Sequence, residues 1–155
     1  MARATDASAS SSLPLAELVS VAPAASSCYV NGVKASDQDL SVLLRQGHPG
    51  RDGQWWYDHT SGAFGLVGGP TLKFMAPGLD LAGSLDAHCS KGSTGVFVNG
   101  RELNDLDLEQ FATYLDFTPK RGRFILDHHS ANLKDLSTGK VIINAKPLLY
   151  FKRAI

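Results

Sequence analysis

The chain has 155 residues, of which 43 % are hydrophobic and 19 % charged, and its 15 basic side chains balance its 15 acidic ones. That length fits one ordinary domain, or two very small ones sharing a core. Zero formal charge argues against a general nucleic-acid or acidic-membrane binder, and no apolar stretch approaches the roughly 18 residues of a membrane-spanning helix.

Residues 1 to about 27 read as a disordered tail rich in Ala and Ser. Arg3 is its only basic side chain, and Glu17 interrupts the apolar run from Leu13 to Ala25, so a secretory signal fits poorly. A cytoplasmic location is expected, with the nucleus as the alternative; the Ser/Ala bias leaves plastid targeting open. Cys28 and Cys89 are too few for a disulfide scaffold and read as free thiols.

From Cys28 onward the chain repeats itself. Val30-Asn31-Gly32 recurs as Val98-Asn99-Gly100, and Ser36-Asp37-Gln38-Asp39-Leu40 matches Asn104-Asp105-Leu106-Asp107-Leu108 in register. After a one-residue slip, Gly53, Trp55, Asp58-His59 and Ser61 match Gly122, Phe124, Asp127-His128 and Ser130. A series in fixed order with one small gap marks an internal duplication. The expected domain is therefore 28–155, made of repeats at about 28–96 and 97–155.

Each copy begins with a short β-branched or aromatic run, Tyr29-Val30 or Val96-Phe97-Val98, ended by Asn-Gly, which favours a tight turn. A helix follows. Ser36 and Asn104 are suitable N-caps, and Asp39 and Asp107 stand three residues on, where a carboxylate meets free backbone N–H groups. Leu40, Leu43 and Leu44, and Leu108, Phe111, Ala112 and Leu115, keep helical spacing. Gly47 and Pro49 stop the first helix and Pro119 lies past the second. Strands are expected at Gln54 to Asp58, Ala63 to Val67 and Arg123 to Asp127. Further ones are expected at Thr71 to Met75, Lys140 to Ile143 and, at the end, Leu148 to Lys152. The fold class is α+β: two tandem copies of a strand–helix–hairpin unit, with short helices packed on antiparallel strands.

Asp58-His59 with Ser61, echoed by Asp127-His128 with Ser130, holds the residue types of a nucleophilic triad. Adjacent strand residues point to opposite faces, however, and a hairpin turn closed by its Asp explains the spacing unaided. His59, His88, Cys89, His128 and His129 show no metal-ligand spacing, so no metal and no cofactor are expected. Gly92 to Gly95 and Ser137 to Lys140 are glycine turns that do not complete a phosphate-binding loop. Trp55-Trp56-Tyr57 corresponds to Phe124-Ile125-Leu126, apolar on both faces. That pattern predicts a strand buried on both sides; an exposed Trp would instead mark a recognition surface.

The run Gly53-Gln54-Trp55-Trp56-Tyr57-Asp58, then Ser61-Gly62, Phe64-Gly65, Gly69-Pro70 and Pro77-Gly78-Leu79, resembles a region of plant extra-large G proteins. The stretch Ala82-Gly83, Leu85, Ala87, Ser90, Gly92, Thr94 and Val96 to Leu103 does so too. In that family the region lies between a cysteine-rich segment and a Gα-like domain that binds GTP. No Walker loop is expected in the residues that carry the resemblance, so it implies a fold unit with a regulatory or interaction role and does not support GTPase activity.

The expected function is a non-catalytic interaction or regulatory module that binds a protein or peptide partner. Its candidate binding residues are Trp56, Tyr57, Asp58, His59, Asp127 and His128. The alternative is a small metal-dependent or Asp/His-based hydrolase. That alternative requires His59 and His128 to converge on one pocket.

Overall fold

A computed structural model describes residues 27–153; the tail expected at 1–27 lies outside these apart from Ser27. The first unit runs β1 (Cys28–Val30), β2 (Val33–Lys34), α1 (Asp37–Arg45), β3 (Gly53–Tyr57), β4 (Ala63–Leu66) and β5 (Lys73–Phe74). The second runs β6 (Val96–Val98), β7 (Arg101–Glu102), α2 (Asp105–Leu115), β8 (Gly122–Leu126), β9 (Asn132–Asp135), β10 (Val141–Asn144) and α3 (Lys146–Arg153). Each unit forms a five-stranded sheet, in the orders β2-β1-β3-β4-β5 and β10-β9-β8-β6-β7.

The Asn-Gly pairs turn as expected. Asn31 and Gly32 have φ of 51° and 79°, and Asn99 and Gly100 have 52° and 85°. Two successive left-handed residues suit a two-residue hairpin. Both helices open on a capping box: Asp39 N–H donates to Ser36 Oγ (3.1 Å), and Asp107 N–H donates to Asn104 Oδ1 (3.0 Å). The helix then carries the chain back across the sheet, so β3 lies parallel to β1, with Val30 beside Trp55, and β8 lies parallel to β6, with Val98 beside Phe124. Both sheets are thus mixed rather than wholly antiparallel, because a helical crossover restores strand direction.

The terminal strand expected at Leu148 to Lys152 is instead the helix α3. Lys146 N–H donates to Asn144 Oδ1 (3.1 Å), Pro147 stands in the first turn where its missing N–H costs nothing, and Leu148 and Leu149 are buried together. The Asn-x-x-Pro start signal was present in the sequence; the adjacent Leu, Tyr and Phe residues obscured it.

Two apolar clusters explain the aromatic strand. Trp55 and Tyr57 face α1 and pack with Val42, Leu43, Phe64 and Met75. Trp56 points the other way, into a cluster dominated by the second unit, with Val96, Leu103, Phe111 and Leu149. The first sheet is therefore covered on both faces, by its own helix and by the other repeat. Gly65, opposite Trp56, is required there: a Cβ would stand 2.9 Å from the indole and 2.4 Å from the Pro70 carbonyl oxygen.

Gly62 closes the turn before β4 at φ +87°, and a Cβ there would meet the Met75 carbonyl oxygen at 2.0 Å. Gly62→Ala is expected to destabilise the protein by about 1–3 kcal/mol, since packed backbone must shift. Urea unfolding of the purified variant measures this, and a midpoint unchanged from the parent would contradict it.

Candidate functional site

The two Asp-x-x-Ser turns are built alike. In the first, Ser61 Oγ donates to Asp58 Oδ2 (2.6 Å) and Ala63 N–H donates to Ser61 Oγ (3.1 Å). In the second, Ser130 Oγ donates to Asp127 Oδ2 (2.6 Å) and Asn132 N–H donates to Ser130 Oγ (3.1 Å). The Ser130 hydroxyl and backbone N–H hold the Asp127 carboxyl below the usual carboxylate range. Each serine hydroxyl thus serves an Asp, and neither donates to a histidine.

Asymmetry enters through what the turns touch. The side chains of Asn31 and Asn99 each bridge to the following parallel strand: Asn31 accepts from Tyr57 N–H (2.9 Å) and Asn99 from Leu126 N–H (3.0 Å). Asn99 Nδ2 also donates to Asp58 Oδ2 (2.8 Å), tying the second unit's hairpin to the first unit's turn. His128 Nδ1 lies 2.6 Å from the Ser61 carbonyl oxygen, a second tie between the same turns. His59, by contrast, places Nε2 2.9 Å from the Leu81 carbonyl oxygen and stands edge-on to Tyr57 (4.7 Å). The two histidines reach different partners, and the two main grooves that His128 lines do not include His59.

The candidate binding residues therefore divide by exposure. Trp56 and Tyr57 are wholly buried and Asp58 is 5 % exposed. Trp56 and Tyr57 present no surface to a partner, because the second repeat covers one face of β3 and α1 the other. Asp127 is exposed, and His59 and His128 are half-buried. Burial and its hydrogen bond to the Ala76 carbonyl oxygen (2.6 Å) place the Tyr57 hydroxyl in the interior, and burial raises its pKa.

A network not foreseen from the sequence lies beneath this surface. Arg101 is 4 % exposed and Asp107 2 %. The guanidinium donates to Asp107 Oδ2 (2.8 Å), Ser90 Oγ (2.8 Å) and Thr71 Oγ1 (3.0 Å), and lies 4.0 Å over the Trp56 ring. Asp107 also accepts from Thr71 N–H (2.9 Å) and Asn104 N–H (3.1 Å). Ligands from both units converge on one ion pair. The signal that could have found it is a mismatch in the repeat: Arg101 occupies the position of Val33, which is 40 % exposed. An Arg replacing an apolar residue in one copy indicates that the copies bury that position differently. The cavity beside the pair, lined by Asp58, Ser61, Arg101 and Phe111, is only about 20 Å³. It has room for about one water, and is too small for a substrate.

Cys28 and Cys89 are both buried and unpaired. Burial pushes the Cys89 thiol up to about 11 and also raises Cys28, so neither is an activated nucleophile. Among the described residues no three His, Cys, Asp or Glu side chains group as metal ligands, and no helix is long and apolar enough to cross a membrane.

Comparison with known proteins gives two partial matches. The chain is 34 % identical over 83 residues to extra-large guanine nucleotide-binding protein 1 of Arabidopsis thaliana, which covers 52 % of this chain and 9 % of that protein. It is 28 % identical over 82 residues to extra-large guanine nucleotide-binding protein 2 of the same plant, covering 51 % of this chain and 10 % of that protein. The chain thus matches about a tenth of the length of these relatives. No protein-family model and no solved structure matches it.

Proposed function

We infer that the chain is a non-catalytic interaction module, a two-repeat domain that binds a protein or peptide partner where its two Asp-x-x-Ser turns meet. One observation carries this reading: the side chains suited to catalysis are consumed in joining the repeats. Ser61 and Asp58 bond each other, Asn99 and His128 clamp them, and Arg101 is saturated by Asp107, Ser90 and Thr71. The exposed remainder of the turns, including Thr60, Asp127 and His129, forms a surface on a rigid support. The partial match to extra-large G proteins fits a regulatory segment of a larger signalling architecture, and the two unpaired thiols suit the cytoplasm.

A photo-crosslinking residue placed at Thr60 or His129 is expected to capture the same partner from native extract. Thr60→Arg, whose exposed side chain supports no packing, is expected to abolish that capture with an unchanged unfolding midpoint. Capture only from a distant position such as Ile142 on β10 would misplace the surface, and capture from none would remove the reading. Trp56→Ala is not a usable surface probe, since emptying that buried site is expected to cost about 3–5 kcal/mol.

A further inference from the structure

Between the repeats, beside the turns, a groove of about 370 Å³ opens to solvent. Arg45, Lys73, His128 and Arg153 line it, and no carboxylate does. The three permanent cations come from the last turn of α1, from β5 and from the last turn of α3, so the fold itself brings them together.

Two of these cations are held by neutral acceptors. Lys73 Nζ donates to the Gln46 carbonyl oxygen (2.8 Å). Arg153 faces His128 Nε2 at 2.6 Å. Because His128 Nδ1 meets the Ser61 carbonyl, which can only accept, the proton sits on Nδ1 and leaves Nε2 to accept from Arg153. A neutral acceptor orients a cation without cancelling its charge. Among the described residues no carboxylate lies within ion-pair distance of Arg45, Lys73 or Arg153. Behind the groove, burial lowers the pKa of His48, and Lys73 and Arg51 add to it.

We propose that this groove receives the phosphoryl group of a phosphorylated serine or threonine on the partner segment. The proposal rests on the interaction-module reading and names the chemistry of its partner. A single carboxylate would answer only one of the three charges. A phosphoryl group carries close to two charges and three strong acceptor oxygens, and guanidinium forks such as those of Arg45 and Arg153 match its geometry. Met75 and Ala76 line the rest of the groove and offer apolar contact to the residue's stem.

The test uses fluorescence anisotropy with the full chain and a degenerate peptide library carrying one central phosphoserine or phosphothreonine. Matched libraries carry serine or threonine, or glutamate, at the centre, and inorganic phosphate is titrated separately. The phosphorylated library is expected to bind at least about tenfold more tightly than either control, the size of one to two charge-assisted hydrogen bonds. The double variant Arg45→Gln/Arg153→Gln, both side chains exposed, is expected to lose that preference with its thermal midpoint retained. Lys140→Gln, exposed and outside the groove's lining, is expected to keep it. Equal binding of the unphosphorylated or glutamate library overturns the proposal, as does inorganic phosphate that binds while the phosphorylated library does not. If a partner cross-links at the turns yet the phosphorylated library does not bind, the module stands and this inference falls.

Discussion

Arg101→Met is expected to destabilise the protein by about 3–5 kcal/mol, because it leaves a buried carboxylate without its counter-charge. Asp107 is 2 % exposed, and Arg101 is its only cationic partner among the described residues. The loss does not stop at the pair. Asp107 accepts from Thr71 N–H in the first unit and from Asn104 N–H at the start of α2, while Arg101 covers Trp56 and holds Ser90. Urea unfolding at pH 7 measures the cost. Arg101→Met/Asp107→Asn is expected to recover part of it, since no charge is then stranded. Val33→Met, at the equivalent exposed position of the first repeat, is expected to change stability by less than about 0.5 kcal/mol. A loss below about 1 kcal/mol for Arg101→Met, comparable to that at Val33, would mean that the ion pair does not hold the repeats together.

The contrast between Arg101 and Val33 also marks where reading the sequence succeeded and where it stopped. Local rules were legible: the Asn-Gly hairpins, the two capping boxes and the Asp-x-x-Ser turns follow from short-range chemistry, and each appears twice with nearly identical geometry. The double burial of Trp55-Trp56-Tyr57 was legible as well, because its counterpart Phe124-Ile125-Leu126 is apolar on both faces. What periodicity could not supply was the contact between the copies. A duplication predicts equal environments, whereas one repeat packs its sheet against the other and makes the environments unequal. Asp39 is only half-buried, while its counterpart Asp107 is sealed in the interior. The groove cations escaped for the same reason, since Arg45, Lys73 and Arg153 are far apart in the chain and meet only once the units dock. The helix α3 reflects a local conflict: apolar and aromatic neighbours suggest a strand, whereas the Asn144 side chain accepting from Lys146 N–H and Pro147 in the first turn favour a helix.

Stability is expected to fall by about 3 kcal/mol as the pH drops from neutrality to 4, and His48 is the main cause. This residue follows α1, is 6 % exposed and accepts a hydrogen bond at Nδ1 from Gly50 N–H (3.1 Å). Its ring stands edge-on to Trp55 (4.5 Å) and Phe64 (4.9 Å), which are themselves stacked, and its Nε2 has no hydrogen-bond partner among the described residues. Burial, with Lys73 and Arg51 nearby, lowers its pKa from 6.5 to about 4. The sign follows from which state takes up the proton. Below pH 6.5 the unfolded chain protonates His48 and the folded one does not, so unfolding gains favour until the folded group titrates near 4. At about 1.4 kcal/mol per pH unit, the interval amounts to about 3 kcal/mol, fully present below the folded value and absent above pH 7. His48→Asn keeps an acceptor for Gly50 N–H and removes the titration. Urea unfolding at intervals from pH 7.5 to 4 is expected to show a slope in the parent that flattens in His48→Asn. If the two slopes agree across that window, the aromatic box around His48 does not exclude its charge, and acid sensitivity must come from groups elsewhere in the fold.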